Sequence, residues 1–301
     1  MARTRGSLEI DGRTVPVSNL DKVLYPQAAF TKADIIAYYI DVADAILPHL
    51  RGRPLTLKRY PEGVKEPFFY QKNAPAHRPR WVKTVAVPTQ RRVVHYLLAN
   101  DLPTLVWAAN LAALELHVSL ASAKTPHRPD LMVFDLDPGP PAGLAECCRV
   151  ALALRRCLKR DGLDAYPKTS GIKGLQVYVP LNAPRITFAH TKDYAKRMAE
   201  SLTRKMPDLV LPRMSKALRT GKVFIDWSQN DPKKTTVCVY SLRAVEIPSV
   251  STPVTWEEVE RAAVSGDASR LRFGPPDVLY RLNTQGDLFN PLTHQIQRLP
   301  R

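Results

Sequence analysis

Hydrophobic side chains along this chain recur either every three to four residues or in short runs, and the two patterns predict different elements. The longer spacing is typical of amphipathic helices, which we expect over residues 32–50, 103–116, 142–161, 189–206, 255–263 and 276–283. The short apolar runs predict strands over residues 55–60, 92–97, 131–137, 165–169, 175–180, 223–227 and 236–240. Thr31 and Thr255 directly precede two of the helices and are suited to cap them.

The order of these elements indicates a fold class. A strand, a helix and two further strands follow one another around residue 135, which favours an α/β (α+β) fold whose central sheet has antiparallel parts. No internal repeat and no long linker divides the 301 residues, and the 27 prolines are scattered along the chain. We therefore expect a single domain over residues 1–301.

The strand over residues 131–137 ends in two carboxylates one residue apart. Because side chains alternate along a strand, Asp135 and Asp137 should share one face about 6.5–7 Å apart, and Leu136 should point to the opposite face. Pro138 and Gly139 should end the strand and place the pair at a mouth of the sheet. Two such carboxylates can share divalent cations about 3.5–4 Å apart, although a solvated strand end has the same pattern.

A third acidic residue lies in another apolar strand. Asp226 stands between Ile225 and Trp227, where a carboxylate costs free energy unless it is paired or binds a metal ion. A paired structural aspartate is the alternative. Together with Asp135 and Asp137 it forms a candidate site for two divalent ions, with oxygen ligands that suit both Mn²⁺ and Mg²⁺.

A glycine-containing loop separates two of the predicted strands. It contains Ser170, Gly171, Lys173 and Gly174. Glycines let backbone N–H groups turn toward an anion, and a lysine adds a charge for a phosphate. The loop is not of the Walker A type because a strand follows it, and a plain hairpin with a solvated lysine remains the alternative.

The charge of the chain points to a polyanionic partner. There are 44 Lys and Arg against 28 Asp and Glu, a net charge of +16. Nucleic acid or an anionic membrane is the usual partner of such a chain. No apolar run approaches the roughly 18 residues of a membrane span, and the N-terminus lacks an apolar segment typical of secretory signals. We therefore expect a cytoplasmic protein that binds nucleic acid, with no membrane partner.

Cysteine usage agrees with a reduced compartment. The four cysteines contain no C-x-x-C pair, so a zinc site is not expected. Cys147, Cys148 and Cys157 fall on a predicted helix with apolar neighbours. We expect them to be small buried side chains.

Basic residues cluster near the candidate site residues. Phe68 and Phe69 lie in a basic, Pro-flanked loop and could either stack on bases or pack in a core. Lys22 and Lys32 lie in the first segment and, on spacing alone, are solvated surface charges. Three further basic residues precede Asp226, namely Lys216, Arg219 and Lys222.

Six motifs in a fixed order connect these residues. They are D-K-V-L-Y-P at 21–26, F-F at 68–69, V-F-D-L-D-P-G at 133–139, T-S-G-I-K-G-L at 169–175, V-F-I-D-W-S-Q-N at 223–230 and Y-S-L-R at 240–243. With them the chain resembles the polymerase domain of bacterial ligase D, a non-homologous end-joining branch of the archaeo-eukaryotic primase superfamily. The resemblance covers residues 17–290. It implies a primase-type catalytic core over residues 115–245, with mixed and antiparallel central sheets flanked by helices.

The resemblance also implies a nucleoid-associated protein of a bacterium or archaeon, an activity, and roles for single residues. The activity is template-dependent nucleotidyl transfer from ribonucleoside or deoxyribonucleoside triphosphates, often with a preference for ribonucleotides and manganese. Asp135, Asp137 and Asp226 would be the catalytic, metal-binding residues. The residues implied to bind the nucleotide are His117, Ser170, Lys173, Gln176, Gln229 and Arg243.

For DNA, the resemblance implies contacts to ends, gaps or overhangs with a downstream 5′-phosphate. Lys22 and Lys32 would grip that phosphate, and Phe68 and Phe69 would stack on the DNA. Arg219, in the basic loop with Lys216 and Lys222, would help to place the template and primer. Whether a Ku-type protein and a separate DNA ligase are partners is left open by the sequence.

Two features leave other interpretations open. Gln176 stands where the family usually has a histidine, so the affinity for the triphosphate is in question. The letters K-x-D-G of a ligase occur at residues 159–162, but they fall at the end of the helix predicted over 142–161 and are not taken as a ligase signature, so we expect either a free-standing polymerase or a fragment of a longer protein. The alternatives are a primase or gap-filling polymerase outside end joining, a DNA-end-binding module with little catalysis, and a nuclease.

Overall fold

The computed structural model describes residues 5–89, 92–211 and 220–300, and its strands and helices alternate along the chain. The strands are, in chain order, β1 (Arg5–Ile10), β2 (Arg13–Ser18), β3 (Val23–Tyr25), β4 (Phe30–Thr31), β5 (Leu55–Arg59), β6 (Phe69–Gln71), β7 (Thr84–Pro88), β8 (Val93–Leu97), β9 (Ala113–Val118), β10 (Leu131–Pro138), β11 (Tyr166–Thr169), β12 (Leu175–Pro180), β13 (Val210–Leu211), β14 (Val223–Asp226), β15 (Thr236–Val237), β16 (Leu242–Arg243) and β17 (Ser249–Val250). The helices are α1 (Lys32–Asp41), α2 (Ala43–Leu50), α3 (Leu102–Asn110), α4 (Leu144–Arg160), α5 (Phe188–Lys205), α6 (Trp256–Ser265) and α7 (Pro275–Gln285).

The chain divides into two compact units. The first unit comprises Met1–Ser119, Val237–Val250 and Gly274–Thr284, and the second comprises Leu120–Thr236, Ser251–Phe273 and Gln285–Arg301. The expectation of one domain over residues 1–301 stays a prediction.

A sheet with the order β15-β9-β5-β8-β7 is the centre of the first unit, and β6 pairs with the end of β5. The strands β5 and β9 are antiparallel, with Lys58 directly opposite Glu115 and Thr56 opposite His117. Helices α1 and α3 pack against each other. The side chains of Ile35, Tyr39 and Leu105 are completely buried there.

A sheet with the order β11-β12-β10-β14-β13 is the centre of the second unit. Its strands are antiparallel except for β13, which is parallel to β14. Helices α4 and α5 pack against β10, and α6 packs against α4. All four cysteines are buried free thiols, as predicted for Cys147, Cys148 and Cys157, and Cys147 and Cys148 lie on the inner face of α4.

The predicted fold class is confirmed, because helices and largely antiparallel sheets are mixed along the chain. The predicted caps are also present: the side chains of Thr31 and Thr255 accept hydrogen bonds from the backbone N–H groups of Asp34 and Glu258. Strand β12 has the bounds that its apolar run predicted, and β10 ends at Pro138. No helix among the described residues is long and apolar enough to cross a bilayer.

Two helix predictions were wrong in part. The helix expected over 32–50 is two helices, α1 and α2, that meet at Val42. The helix expected over 103–116 ends at Asn110, and Ala112 has a left-handed backbone with φ 57° before β9 begins. Pairing with β5 makes residues 113–118 a strand, because long-range partners outweigh local helix propensity.

Candidate active site

Three carboxylates lie together on the central sheet of the second unit. Asp135 on β10 is directly opposite Asp226 on β14, and Asp137 is two residues further along β10. Asp135 and Asp137 are partly exposed while Leu136 between them is fully buried, as the strand alternation predicted. Strand alternation therefore predicted the correct face for both carboxylates of β10.

Each of these carboxylates has polar partners within the unit. The side-chain amide of Gln176 donates to Asp135 Oδ1 at 3.1 Å, and Lys173 Nζ lies 2.9 Å from Asp137 Oδ1. Asp226 accepts hydrogen bonds from the backbone N–H of Ser228 and from Gln229 Nε2, both at 3.0 Å. The structure thus brings three of the predicted nucleotide-binding side chains, Gln176, Lys173 and Gln229, to the predicted metal-binding ones.

A polar row crosses four strands at this point. Asp226, Asp135, Gln176 and Lys168 are successive cross-strand partners on β14, β10, β12 and β11. Direct cross-strand partners share a face of the sheet and interact. Lys168 is almost completely buried, and its Nζ donates to the hydroxyl of Ser251. The row begins with two carboxylates and ends with a buried cation.

The pKa of Asp135 reflects this crowding of negative charge. Burial raises its pKa to about 6, and the charges of Asp226 and Asp137 raise it too. The hydrogen bond from Gln176 and the charge of Lys168 act in the opposite direction. A bound cation would relieve the repulsion among the three carboxylates.

The donor atoms suit a hard divalent cation. All three carboxylates supply oxygen, and the carboxamide oxygen of Gln176, also in this row, is buried with no hydrogen-bond partner. Oxygen ligands are those that Mg²⁺ and Mn²⁺ prefer. Over residues 5–89, 92–211 and 220–300, no three His, Cys, Asp or Glu side chains are gathered so that they could hold a metal ion as they stand. The residues fit the ion by chemistry and charge, and the carboxylates would have to exchange their present partners for it.

The loop after β11 closes on itself through Ser170. The Ser170 hydroxyl accepts hydrogen bonds from the N–H groups of Gly174 at 3.1 Å and Ile172 at 3.4 Å. Gly171 has φ +76°, a left-handed conformation that favours glycine. A Cβ at Gly174 would overlap the carbonyl oxygen of Leu136 on β10. Gly174 is therefore required by its close approach to β10, a reason that the sequence pattern did not reveal.

We expect Gly174→Ala to lower the free energy of unfolding by about 1–3 kcal/mol, because the new methyl group must displace the backbone of β10. Urea denaturation measures this change. Gly143→Ala is the matched control, since its Cβ would meet only the Glu146 side chain at an ordinary 3.8 Å. Equal stability of the two variants would contradict the packing argument.

The first unit contains a buried carboxylate that the sequence analysis did not single out. Glu115 on β9 has no exposed surface. Its Oε2 lies 2.9 Å from His117 Nε2 and 3.4 Å from Arg243 Nε, and its Oε1 lies 3.2 Å from Lys58 Nζ. Burial alone would raise the pKa of Glu115, but His117, Arg243 and Lys58 outweigh it and hold the pKa at about 2. Burial lowers the pKa of His117.

An aromatic cluster adjoins this carboxylate. Lys58 Nζ lies 4.2 Å from the ring centroid of Phe68, and the guanidinium of Arg59 lies 5.1 Å from that of Phe69. Phe68 and Phe69 are 48% and 45% exposed, so neither is a core residue. The exposed rings beside cations are suited to stacking on bases.

Lys22 and Lys32 line one pocket in the first unit, with a volume of about 360 Å³. Lys32 is buried, and its Nζ donates to the carbonyl oxygen of Ser18 at 2.9 Å. Burial lowers the pKa of Lys32, and the charges of Lys22 and Arg59 lower it further. Glu62 also lines the pocket and pairs with Lys22 at 2.6 Å. The pocket holds crowded positive charge of the kind that a phosphate would relieve.

The third basic group lies mostly outside the described residues. Lys216 and Arg219 fall in the segment 212–219, which the structure does not describe. Lys222 is described, and its Nζ donates to the carbonyl oxygen of Pro207 at 2.7 Å.

Comparison with known proteins supplies the family. The sequence profile of the LigD primase-polymerase domain matches residues 31–289. This chain belongs to that family. The chain is 40% identical over 280 residues to the multifunctional non-homologous end joining protein LigD of Mycolicibacterium smegmatis, and 32% identical over 288 residues to the bifunctional LigD of Bacillus subtilis.

The LigD relatives are longer proteins. These alignments cover 92% and 93% of this chain but only 36% and 46% of the two relatives. A solved structure titled as the polymerase domain from Mycobacterium tuberculosis ligase D in complex with DNA matches with a TM-score of 0.86 and 38% identity. That match covers 93% of this chain and 98% of the other. The primase-type fold that the resemblance implied is therefore confirmed.

Three polar residues of this LigD-family chain escaped the sequence analysis. Glu115 fell within a segment predicted as helix, although its position two residues before His117 would put both on one face of a strand. Lys168 lies within a strand where a lysine looks solvated, and only the cross-strand register shows its neighbours. Lys234, whose Nζ lies 3.9 Å from Asp226, follows Asp226 in an irregular segment with no recognisable pattern.

Proposed function

We propose that this chain is a DNA-directed nucleotidyltransferase that extends or fills DNA ends during non-homologous end joining. The observation that carries the proposal is the gathering of Asp135, Asp137 and Asp226 on one face of a sheet, in a chain of the LigD primase-polymerase family. The proposed substrates are nucleoside triphosphates, with ribonucleotides favoured, and DNA gaps or overhangs with a downstream 5′-phosphate.

The three aspartates are proposed to hold the divalent cations, Mn²⁺ or Mg²⁺. When bound, such ions lower the pKa of a primer 3′-hydroxyl and stabilise the charge on a departing pyrophosphate. The contribution of the chain is orientation, since Gln176 holds Asp135 and Gln229 holds Asp226 through hydrogen bonds from side-chain amides. These partners keep two carboxylates aligned on the sheet before any ion arrives.

The proposed triphosphate contacts begin with Lys173. Its Nζ now lies beside Asp137 and donates to the carbonyl oxygen of Pro138 at 3.2 Å. A triphosphate would draw this cation away and so free the Asp137 carboxylate for a metal ion. Ser170 shapes the loop that carries Lys173. Gln176 cannot become cationic, so it serves Asp135 and adds no charge for the phosphates.

The proposed role of the first unit is to bind the nucleotide and the downstream end of the DNA. His117 and Arg243 are assigned to the nucleotide, as the resemblance implies. Lys22 and Lys32 are assigned to the 5′-phosphate because they line one pocket. Phe68 and Phe69 are assigned to stacking on DNA because both rings are exposed.

Primer extension on a short gapped duplex with a downstream 5′-phosphate tests this function. Ribonucleotides and deoxyribonucleotides are supplied separately with manganese or magnesium, and a chelator is added in a parallel reaction. Template-dependent extension that the chelator stops supports the proposal and gives the sugar preference. Tight DNA binding without extension would overturn it in favour of an end-binding module, and shortened strands would indicate a nuclease. Synthesis on an unprimed template would indicate a primase.

A further inference from the structure

Glu115 is the centre of a cluster of basic side chains, and neither the fold nor the proposed chemistry explains why they are gathered there. It receives His117 and Arg243 on one carboxylate oxygen and Lys58 on the other. The backbone N–H of Ala244 also donates to Oε1, at 3.2 Å. One buried carboxylate therefore joins side chains from β5, β9 and β16.

These contacts restrict the side chains that meet Glu115. The hydrogen bond to Glu115 holds the Nε2 side of the His117 ring, which leaves Nδ1 as the ring atom for any other partner. Arg243 lies at the end of β16, and its Nε forms an ion pair with Glu115 Oε2 at 3.4 Å without a hydrogen bond. Both residues are thus oriented before a ligand binds.

Lys58, the third basic side chain, extends the cluster to the aromatic rings. Lys58 is opposite Glu115 in the sheet register, and its Nζ contacts the faces of Phe68 and Tyr60, with ring centroids at 4.2 Å and 5.2 Å. Tyr70 packs edge-on against the ring of His117 with centroids 6.0 Å apart. The position of His117 is therefore fixed by Glu115 on one side and by an aromatic ring on another.

We propose that Glu115 is a positioning residue for nucleotide binding, which acts by holding His117 and Arg243 in the orientation that meets the nucleotide. The proposal rests on the proposed function, since that function assigns His117 and Arg243 to the nucleotide. Glu115 itself is fully buried and does not touch the substrate.

The direction in which one substitution changes the affinity for nucleotide distinguishes a positioning role from a simple effect of charge. Glu115→Gln removes a negative charge beside three basic side chains, so charge counting predicts tighter binding of a polyanionic triphosphate. Positioning predicts the opposite, because a neutral amide with one oxygen weakens both the hydrogen bond to His117 and the ion pair with Arg243. We expect Glu115→Gln to raise the dissociation constant for nucleotide about tenfold or more. A purely structural role would lower the fraction of active protein and leave the dissociation constant of that fraction unchanged.

The measurement is binding of α,β-methylene-ATP, a non-hydrolysable triphosphate, to the full chain on a gapped duplex with a templating thymine. Glu246→Gln is the matched control, an exposed glutamate of the same unit three residues from Arg243, and we expect no change there. The effect of Glu115→Gln should shrink in a His117→Ala background and vanish in a His117→Ala/Arg243→Ala background, because neighbours that act through one another are not additive. Glu115→Asp keeps the charge but shortens the side chain, and we expect an intermediate loss that can be measured if Glu115→Gln folds poorly.

Unchanged or tighter nucleotide binding by the folded Glu115 variants would overturn the proposal, and primer extension by the wild type would still support the function. Full additivity of Glu115→Gln with His117→Ala and Arg243→Ala would also overturn it. Failure of the wild type to bind the triphosphate at all would overturn both the positioning role and the proposed function.

Discussion

Asp135→Asn should lower the rate of primer extension by about 10³-fold or more and at the same time stabilise the metal-free protein at neutral pH. The loss of rate follows from the proposed metal site, where the charge stabilisation provided by bound ions amounts to several kcal/mol and each 1.36 kcal/mol is tenfold in rate. Asparagine keeps an oxygen that can accept the hydrogen bond from Gln176. The substitution therefore removes charge with little change in shape.

The gain in stability follows from the raised pKa of Asp135. Its pKa is about 6 in the folded protein against 3.8 for an unperturbed aspartate side chain, so the folded state disfavours the ionised form. This cost is fully present above pH 6, falls as the pH drops from 6 to 3.8, and is absent below that. With allowance for partial exposure, we expect Asp135→Asn to add about 1–2 kcal/mol to the free energy of unfolding at pH 7.5 and almost nothing at pH 3.5.

Three measurements check this prediction together. Primer extension gives the loss of activity, thermal unfolding at the two pH values gives the stability, and fluorescence anisotropy with labelled DNA should show unchanged binding. Asp193→Asn is the control, because this aspartate pairs with Arg197 on the outer surface of α5. Asp137→Ala should lose as much activity as Asp135→Asn. Normal extension by either active-site variant would mean that the carboxylates have been assigned the wrong role.

Alternation along one strand was sufficient to put Asp135 and Asp137 on one face, because burial follows a period of two over the last four residues of β10, while the first four are all buried. The pairing of Asp226 with Asp135 was not contained in either segment alone. It depends on the register between β10 and β14, which lie about ninety positions apart in the sequence and are set together by the whole sheet. The sequence thus predicted which aspartates are candidate site residues, and the fold shows which side chains lie beside them.

The misjudged residues have the same cause. Glu115 was hidden because residues 113–116 have a helix-compatible pattern, and only pairing with β5 makes them a strand. Lys32 was interpreted from spacing as a solvated lysine, yet α1 buries it against the carbonyl oxygen of Ser18. A buried lysine cannot be recognised locally, since the residues that bury it come from distant parts of the chain.

Lys32→Gln should abolish the preference for a 5′-phosphate on the downstream strand. The wild type is expected to bind a gapped duplex with a 5′-phosphate about ten- to a hundredfold more tightly than the same duplex with a 5′-hydroxyl, since charge-assisted hydrogen bonds contribute about 1.5–3 kcal/mol. Lys32 and Lys22 line the same pocket, and burial together with neighbouring cations lowers the pKa of Lys32. A phosphate monoester with about two negative charges relieves that crowding, whereas a hydroxyl does not.

Titration of both duplexes at one fixed salt concentration measures this preference for each variant. Lys65→Gln is the control for general electrostatics. Lys65 is exposed, so its substitution should weaken binding to both duplexes equally.

Glu62→Gln should raise the affinity for the 5′-phosphate, because Glu62 forms an ion pair with Lys22 at 2.6 Å and competes with the phosphate for it. An exposed ion pair contributes about 0.2–1 kcal/mol, so the affinity for the 5′-phosphate should rise by at most about fivefold. If the wild type bound the two duplexes with equal affinity, this pocket would not be a 5′-phosphate site. If Lys32→Gln kept the preference for the 5′-phosphate, Lys32 would not contact that phosphate.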